Sequence, residues 1–138
     1  MNILHKVNTI IATLQDGEWS KLSPQTLVSA QGKLSTYSSN VGAMVATARK
    51  LMDATELNAK HYEAQQFLEY RTNGESIQSS QANARVEAFN HWTRHYDAKA
   101  SYADIKFVLE AMTSMITACQ VTIRELKNER QSYNYEGK

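Results

Sequence analysis

The 138 residues amount to one domain, with 42% hydrophobic, 9% aromatic and 21% charged side chains, the proportions of a folded soluble chain. One Pro and five Gly are too few for a sandwich, barrel or doubly wound sheet, whose turns draw on those residues for their φ angles. Fifteen Lys and Arg against fourteen Asp and Glu leave a formal charge of +1, which excludes a basic coat that binds any polyanion through bulk charge.

A short helix is expected over about residues 2–15. Ile3, Leu4, Val7, Ile10, Ile11 and Leu14 fall on one apolar face, and Asp16-Gly17 ends it, with Gly17 suited to the left-handed C-terminal position. Such a helix is marginal alone in water, so this face must dock on its own chain or on another. The segment is interrupted by His5, Lys6, Asn8 and Thr9 and carries no small-residue cleavage site, so it does not read as a signal peptide.

A long helix is expected over 24–71. Ser23 caps it and Pro24 takes the first turn, where a missing N–H is harmless. Leu27, Ala30, Leu34, Tyr37, Val41, Met44, Ala48 and Leu51 then alternate in steps of three and four, a heptad seam. The pattern shifts near Asp53 and continues through Leu57, His61, Ala64 and Leu68.

Thr72-Asn73-Gly74-Glu75-Ser76 is a strong turn: Asn-Gly favours positive φ, and Ser76 can cap the next helix. A second long helix is expected over 77–130, with no Gly or Pro inside it and a seam of Tyr102, Ile105, Leu109, Met112, Ile116, Cys119, Ile123 and Leu126. Residues 131–138 read as a frayed tail. Two long helices joined by a short turn give an antiparallel hairpin. The fold class is therefore all-α: a short N-terminal helix plus a coiled-coil-like hairpin, one domain over 1–138. Phe67, Phe89, Trp92, Phe107, Val108 and Met115 fall outside or between the seams. That apolar surface predicts a homo-oligomer, a ring among the options, with the N-terminal helix at its contacts.

No apolar run approaches ~18 residues, so no membrane span is expected. Cys119 is the lone cysteine, which leaves no disulfide framework and fits a reduced, cytoplasmic setting. At a seam position it reads as a small buried hydrophobe. His91 and His95 share a face at i, i+4, but Trp92 stands where a zinc protease needs its general-base Glu. Nucleotide-binding and hydrolase signatures are absent. The expectation is a protein with no catalytic residue, no metal and no cofactor.

One constellation stands above background. Arg85, Trp92, Lys99 and Lys106 recur at seven-residue intervals, with Arg94, His95 and Tyr96 close to Trp92. Cations alternating with aromatics suit single-stranded nucleic acid, because phosphates need charge and unstacked bases need a π-face. The plainer alternative makes the cations a solvated face, offset by Glu87, Asp97 and Asp104, and puts Trp92 in an oligomer interface.

Ser23-Pro24-Gln25-Thr26-Leu27 opens a long amphipathic helix, and Leu68-Glu69-Tyr70-Arg71 runs into the turn at Gly74. Gln81-Ala82-Asn83-Ala84-Arg85-Val86, Tyr102-Ala103-Asp104-Ile105-Lys106, Ile123-Arg124-Glu125-Leu126-Lys127 and Gly137-Lys138 come after it. On these segments the chain resembles phage recombination mediators of the UvsY type, small helical proteins that load a recombinase on single-stranded DNA covered by a single-strand-binding protein. The resemblance implies single-stranded DNA, a recombinase, a single-strand-binding protein and further copies of the chain as partners, in the host cytoplasm if phage-encoded. In that family a Lys and an Arg late in the first long helix contact DNA. Here the matching stretch is the uncharged Ala64-Gln65-Gln66-Phe67, so Lys60 and Arg71 would have to act with the later stripe. The alternative is a helical phage structural or inhibitory protein acting through protein contact.

Overall fold

Among the described residues, side-chain oxygens open three of the four helices. The computed structural model describes residues 2–16 and 22–136, arranged as α1 (Ile3–Asp16), α2 (Pro24–Thr72), α3 (Ile77–Glu87) and α4 (Phe89–Glu136). Asn2 Oδ1, Ser23 Oγ and Ser76 Oγ each accept an N–H of the first helical turn, from Leu4, Thr26 and Ser79 respectively, all at 3.1 Å. Each bond satisfies a donor that the helix itself leaves without a partner. The expected caps Ser23 and Ser76 and the first-turn Pro24 are all in place. Gly17, expected to stop α1, lies outside the described residues.

The turn after α2 is built from its own backbone. Gly74 has φ +89; its N–H reaches the Arg71 carbonyl at 3.0 Å, and the Glu75 N–H reaches that of Tyr70 at 3.2 Å. This pair of bonds is the Schellman closure, which needs a left-handed residue at the position of Gly74. Arg71 Nη1 donates to the Glu75 carbonyl at 2.6 Å, and Glu75 Oε2 accepts from Ser79 Oγ and Asn83 Nδ2. The chain thus reverses on a fixed path, and α2 and α4 pack antiparallel with α3 between them in sequence.

The packing resolves into two units. The first joins Met1–Met44 to Lys106–Lys138 around a core of large aliphatics. Val7, Ile11 and Leu14 of α1, Leu27, Leu34 and Val41 of α2, and Met112 and Cys119 of α4 are buried. Full burial of each large side chain stabilises by roughly 1.5–3 kcal/mol. Val7, Ile11 and Leu14 on the apolar face of α1 are therefore covered within one chain, while Ile3, Leu4 and Ile10 stay half-buried. The seams expected through Met44 on α2 and from Leu109 to Leu126 on α4 are buried or half-buried throughout.

The second unit, Val45–Ile105, is packed on small side chains: Ala59, Ser80, Ala84, Ala88 and Ala98 are buried with His95. Its seam departs from the expected one. Leu57 and Leu68 are 69% and 63% exposed, and Leu51, His61 and Ala64 do not form the buried line with them. The inward line runs instead through buried Ala59 and the half-buried Met52, Thr55, Tyr62 and Gln66. Two consecutive steps of four, Met44 to Ala48 to Met52, shift the heptad phase. The face chosen is the one where Ala59 admits a close neighbour and where Tyr62 and Tyr70 find partners on α4 and α3.

Two boundaries also differ. The helix expected over 77–130 is divided at buried Ala88, with φ −83 and ψ 1. Bonds from Ala88 N–H to Ala84 and from Trp92 N–H to Ala88 flank the break, and no Gly or Pro marks it in the sequence. The expected tail from 131 is helical through Glu136, its tyrosines Tyr133 and Tyr135 exposed; Gly137 and Lys138 lie outside the described residues.

Two glycines give opposite expectations. A Cβ at Gly32, inside α2, would meet nothing within 4 Å, so Gly32→Ala should raise stability by about 0.5–1 kcal/mol. Gly74→Ala puts a side chain on a left-handed residue and should lower it by roughly 1–2 kcal/mol. Urea denaturation followed by circular dichroism measures both.

Candidate nucleic-acid interface

The stripe expected at seven-residue intervals is carried by two helices, because Ala88 separates Arg85 on α3 from Trp92 on α4. The two still meet: the Arg85 guanidinium lies 5.2 Å from the centre of the Trp92 ring, a cation–π contact. Tyr96, one turn on, sits 6.2 Å from Trp92 in a tilted arrangement. Lys99 is exposed two turns beyond Trp92. Lys106, also exposed, belongs to the other unit.

Other candidates are engaged locally. Lys60 pairs with Glu56 at 3.0 Å, and the Lys60 hydrogen bond and charge hold the Glu56 carboxyl below the usual carboxylate range. Arg71 is tied to the turn through the Glu75 carbonyl. Arg85, itself exposed, keeps a long contact to half-buried Glu63 at 3.8 Å; a solvent-reached pair at that separation contributes little. Arg94 is exposed and lines a shallow hollow with Leu51, Thr55 and Asp97.

His95 corrects its expected role. It is 7% exposed, with Nδ1 3.1 Å from the Met52 carbonyl and 3.4 Å from Thr55 Oγ1. It links α4 to α2 and leaves little surface for a polyanion. His91 stacks on Tyr62 with ring centres 4.4 Å apart, so the two histidines make different contacts. Among the described residues no three His, Cys, Asp or Glu side chains come together as a metal site. Cys119 is buried, and burial pushes its thiol up, away from the thiolate.

Sequence spacing held a signal for His95 that the stripe obscured. Counting back from Tyr102 by four, three and four residues gives Ala98, His95 and His91, which places both histidines on the hairpin seam. The partners Tyr62, Glu63 and the Met52 carbonyl had no such signal, since they depend on the phase shift in α2. Trp92 is half-buried, and its Nε1 is buried without a hydrogen-bond partner among the described residues.

Comparisons with protein-family models, with curated proteins and with solved structures found no match to the chain.

Two tests address this region. Trp92→Phe removes no hydrogen bond and should change stability by less than ~1.5 kcal/mol, whereas His95→Ala removes a buried polar link and should cost about 1–3 kcal/mol; chemical denaturation compares them. The second concerns Tyr70, whose hydroxyl donates to Glu87 Oε1 at 3.0 Å. That bond raises the phenol above its ordinary range. The bond therefore supports the fold below the ordinary tyrosine range, and its support disappears as pH climbs through the raised value. In an alkaline absorbance titration one of the seven tyrosines should ionise late, and Glu87→Ala should return it to the ordinary range.

Proposed function

We propose that the protein is a non-catalytic mediator of the UvsY type. In this reading it binds single-stranded DNA and assists exchange of a single-strand-binding protein for a recombinase. Arg85 stacked over Trp92 at 5.2 Å, with exposed Lys99 two turns further, carries the reading. Such a cluster supplies a cation for phosphate beside a ring on which a base can stack. A mediator of this kind acts by differential binding to two states and needs no catalytic residue. At a formal charge of +1, affinity for DNA must come from repetition of the cluster in a homo-oligomer. Lys106, Arg94, Lys60 and Arg71 would add charge at the margins.

The alternative, a helical protein that works by protein contact alone, is favoured by a separate observation. Leu57, Leu68, Val86 and Phe89 are all more than half exposed in the second unit, and surface of that kind marks protein interfaces.

Fluorescence anisotropy with labelled oligonucleotides separates the two readings. Replacing Lys99 and Lys106 by Ala together should weaken binding and flatten its salt dependence, by ~0.7 for each phosphate no longer neutralised. Trp92→Ala should cost roughly 1–3 kcal/mol of affinity if a base stacks on the ring. Oligomer size is measured on the same variants. An unchanged salt slope in the double lysine variant would make the stripe a solvated face and leave the protein-contact reading.

A further inference from the structure

The helix α4 carries a second heptad line on the side turned away from α2. Phe89, Thr93, Tyr96, Ala100 and Ala103 are separated by four, three, four and three residues, and all are exposed. The inward line of the same segment, half-buried His91 and Tyr102 with buried His95 and Ala98, lies on the opposite side of the helix. Phe89 is 67% and Tyr96 53% exposed, an unusual cost for two aromatics unless something covers them. The alanines that continue the line leave room for another helix to approach.

The charges beside this line identify what fits it. The residues just before the Thr93 and Ala100 positions are Trp92 and Lys99, and those just after Phe89, Tyr96 and Ala103 are Asn90, Asp97 and Asp104. One edge is thus basic and aromatic, the other acidic. In a parallel pair of helices each residue on the first edge meets, on its neighbour, the residue five positions later on the second edge. That rule sets Lys99 against Asp104 and Trp92 against Asp97, twice per pair. An antiparallel arrangement would instead bring like edges together, Lys99 against basic neighbours and Asp97 against Asp104, which is repulsive.

We infer that the outer face of α4 between Phe89 and Ala103 is the surface on which a second copy of this chain docks, side by side and parallel, with Lys99 paired to Asp104 across both edges. The inference does not rest on DNA binding. A variant that loses DNA affinity yet sediments like the original protein bears only on the function proposed above.

The experiment is sedimentation velocity of the full chain at micromolar concentration and moderate salt, with circular dichroism confirming equal helicity. The original protein should associate. Lys99→Glu and Asp104→Lys each turn two attractions into two repulsions and should weaken association roughly tenfold. The double exchange Lys99→Glu with Asp104→Lys restores opposite charges and should recover it. A second measurement uses Ala103→Cys with Cys119→Ala: in a parallel pair residue 103 faces its own counterpart, so mild oxidation should link two chains. A monomeric original protein, single variants that associate as well or better, or an absent 103–103 link in a variant of normal helicity would overturn the inference. Association that ignores α4 but fails on Leu57→Ser with Leu68→Ser would assign the contact to the outer face of α2 instead, and would overturn it too.

Discussion

Close helix approach on small side chains is the constraint on which the second unit depends. Ala59, Ala84, Ala88, Ala98 and Ser80 bury little apolar area each, so the hydrophobic term is thin there. Polar and aromatic links between helices add to it: His95 to the Met52 carbonyl, Tyr70 to Glu87, Tyr62 against His91, and Arg85 over Trp92. The large apolar residues that would ordinarily form the core, Leu57, Leu68, Val86 and Phe89, face outward instead. The surface is apolar because the core is small, and both stem from the same choice of helix face.

The first unit has the more usual plan. Leu27, Leu34 and Val41 repeat every seven residues, and all are fully buried. α1 completes that core with Val7, Ile11 and Leu14. A helix of 14 residues would be marginal alone in water, and its stability here comes from packing rather than propensity. Among the described residues no helix is long and apolar enough to cross a membrane.

Legibility in the sequence divides between local chemistry and the choice of buried helix face. The Ser23 and Ser76 caps, first-turn Pro, the Gly74 turn and the late α4 seam each rest on local chemistry or strict spacing, and all were readable. The α2 seam beyond Ala48 was not, because Leu57, His61, Ala64 and Leu68 keep heptad spacing while lying off the buried line. Spacing marks two apolar lines on such a helix and cannot say which one its own chain will cover. The choice depended on small residues in the partner helices, to which a hydrophobicity pattern is blind. The break at Ala88 had no residue to announce it. At the candidate site, the Arg85–Trp92 contact was foreshadowed by periodicity, whereas the burial of His95 was visible only by extending the seam backward from Tyr102.

The knitted turn at Gly74 also has a kinetic meaning. Within the second unit, contacts lengthen in sequence away from this turn: Tyr70 to Glu87 spans 17 positions and Met52 to His95 spans 43. In the first unit Val28 and Ile123, which line one hollow, are separated by most of the chain. The entropy lost in closing a loop grows with its length, so the nearest pairs are the least expensive to form, and each one shortens the effective loop for the next. A reversal fixed by local hydrogen bonds lets the helices zip outward from one end. Chain synthesis delivers the partners in the same order, since the turn and its flanks are complete before the final half of α4 exists.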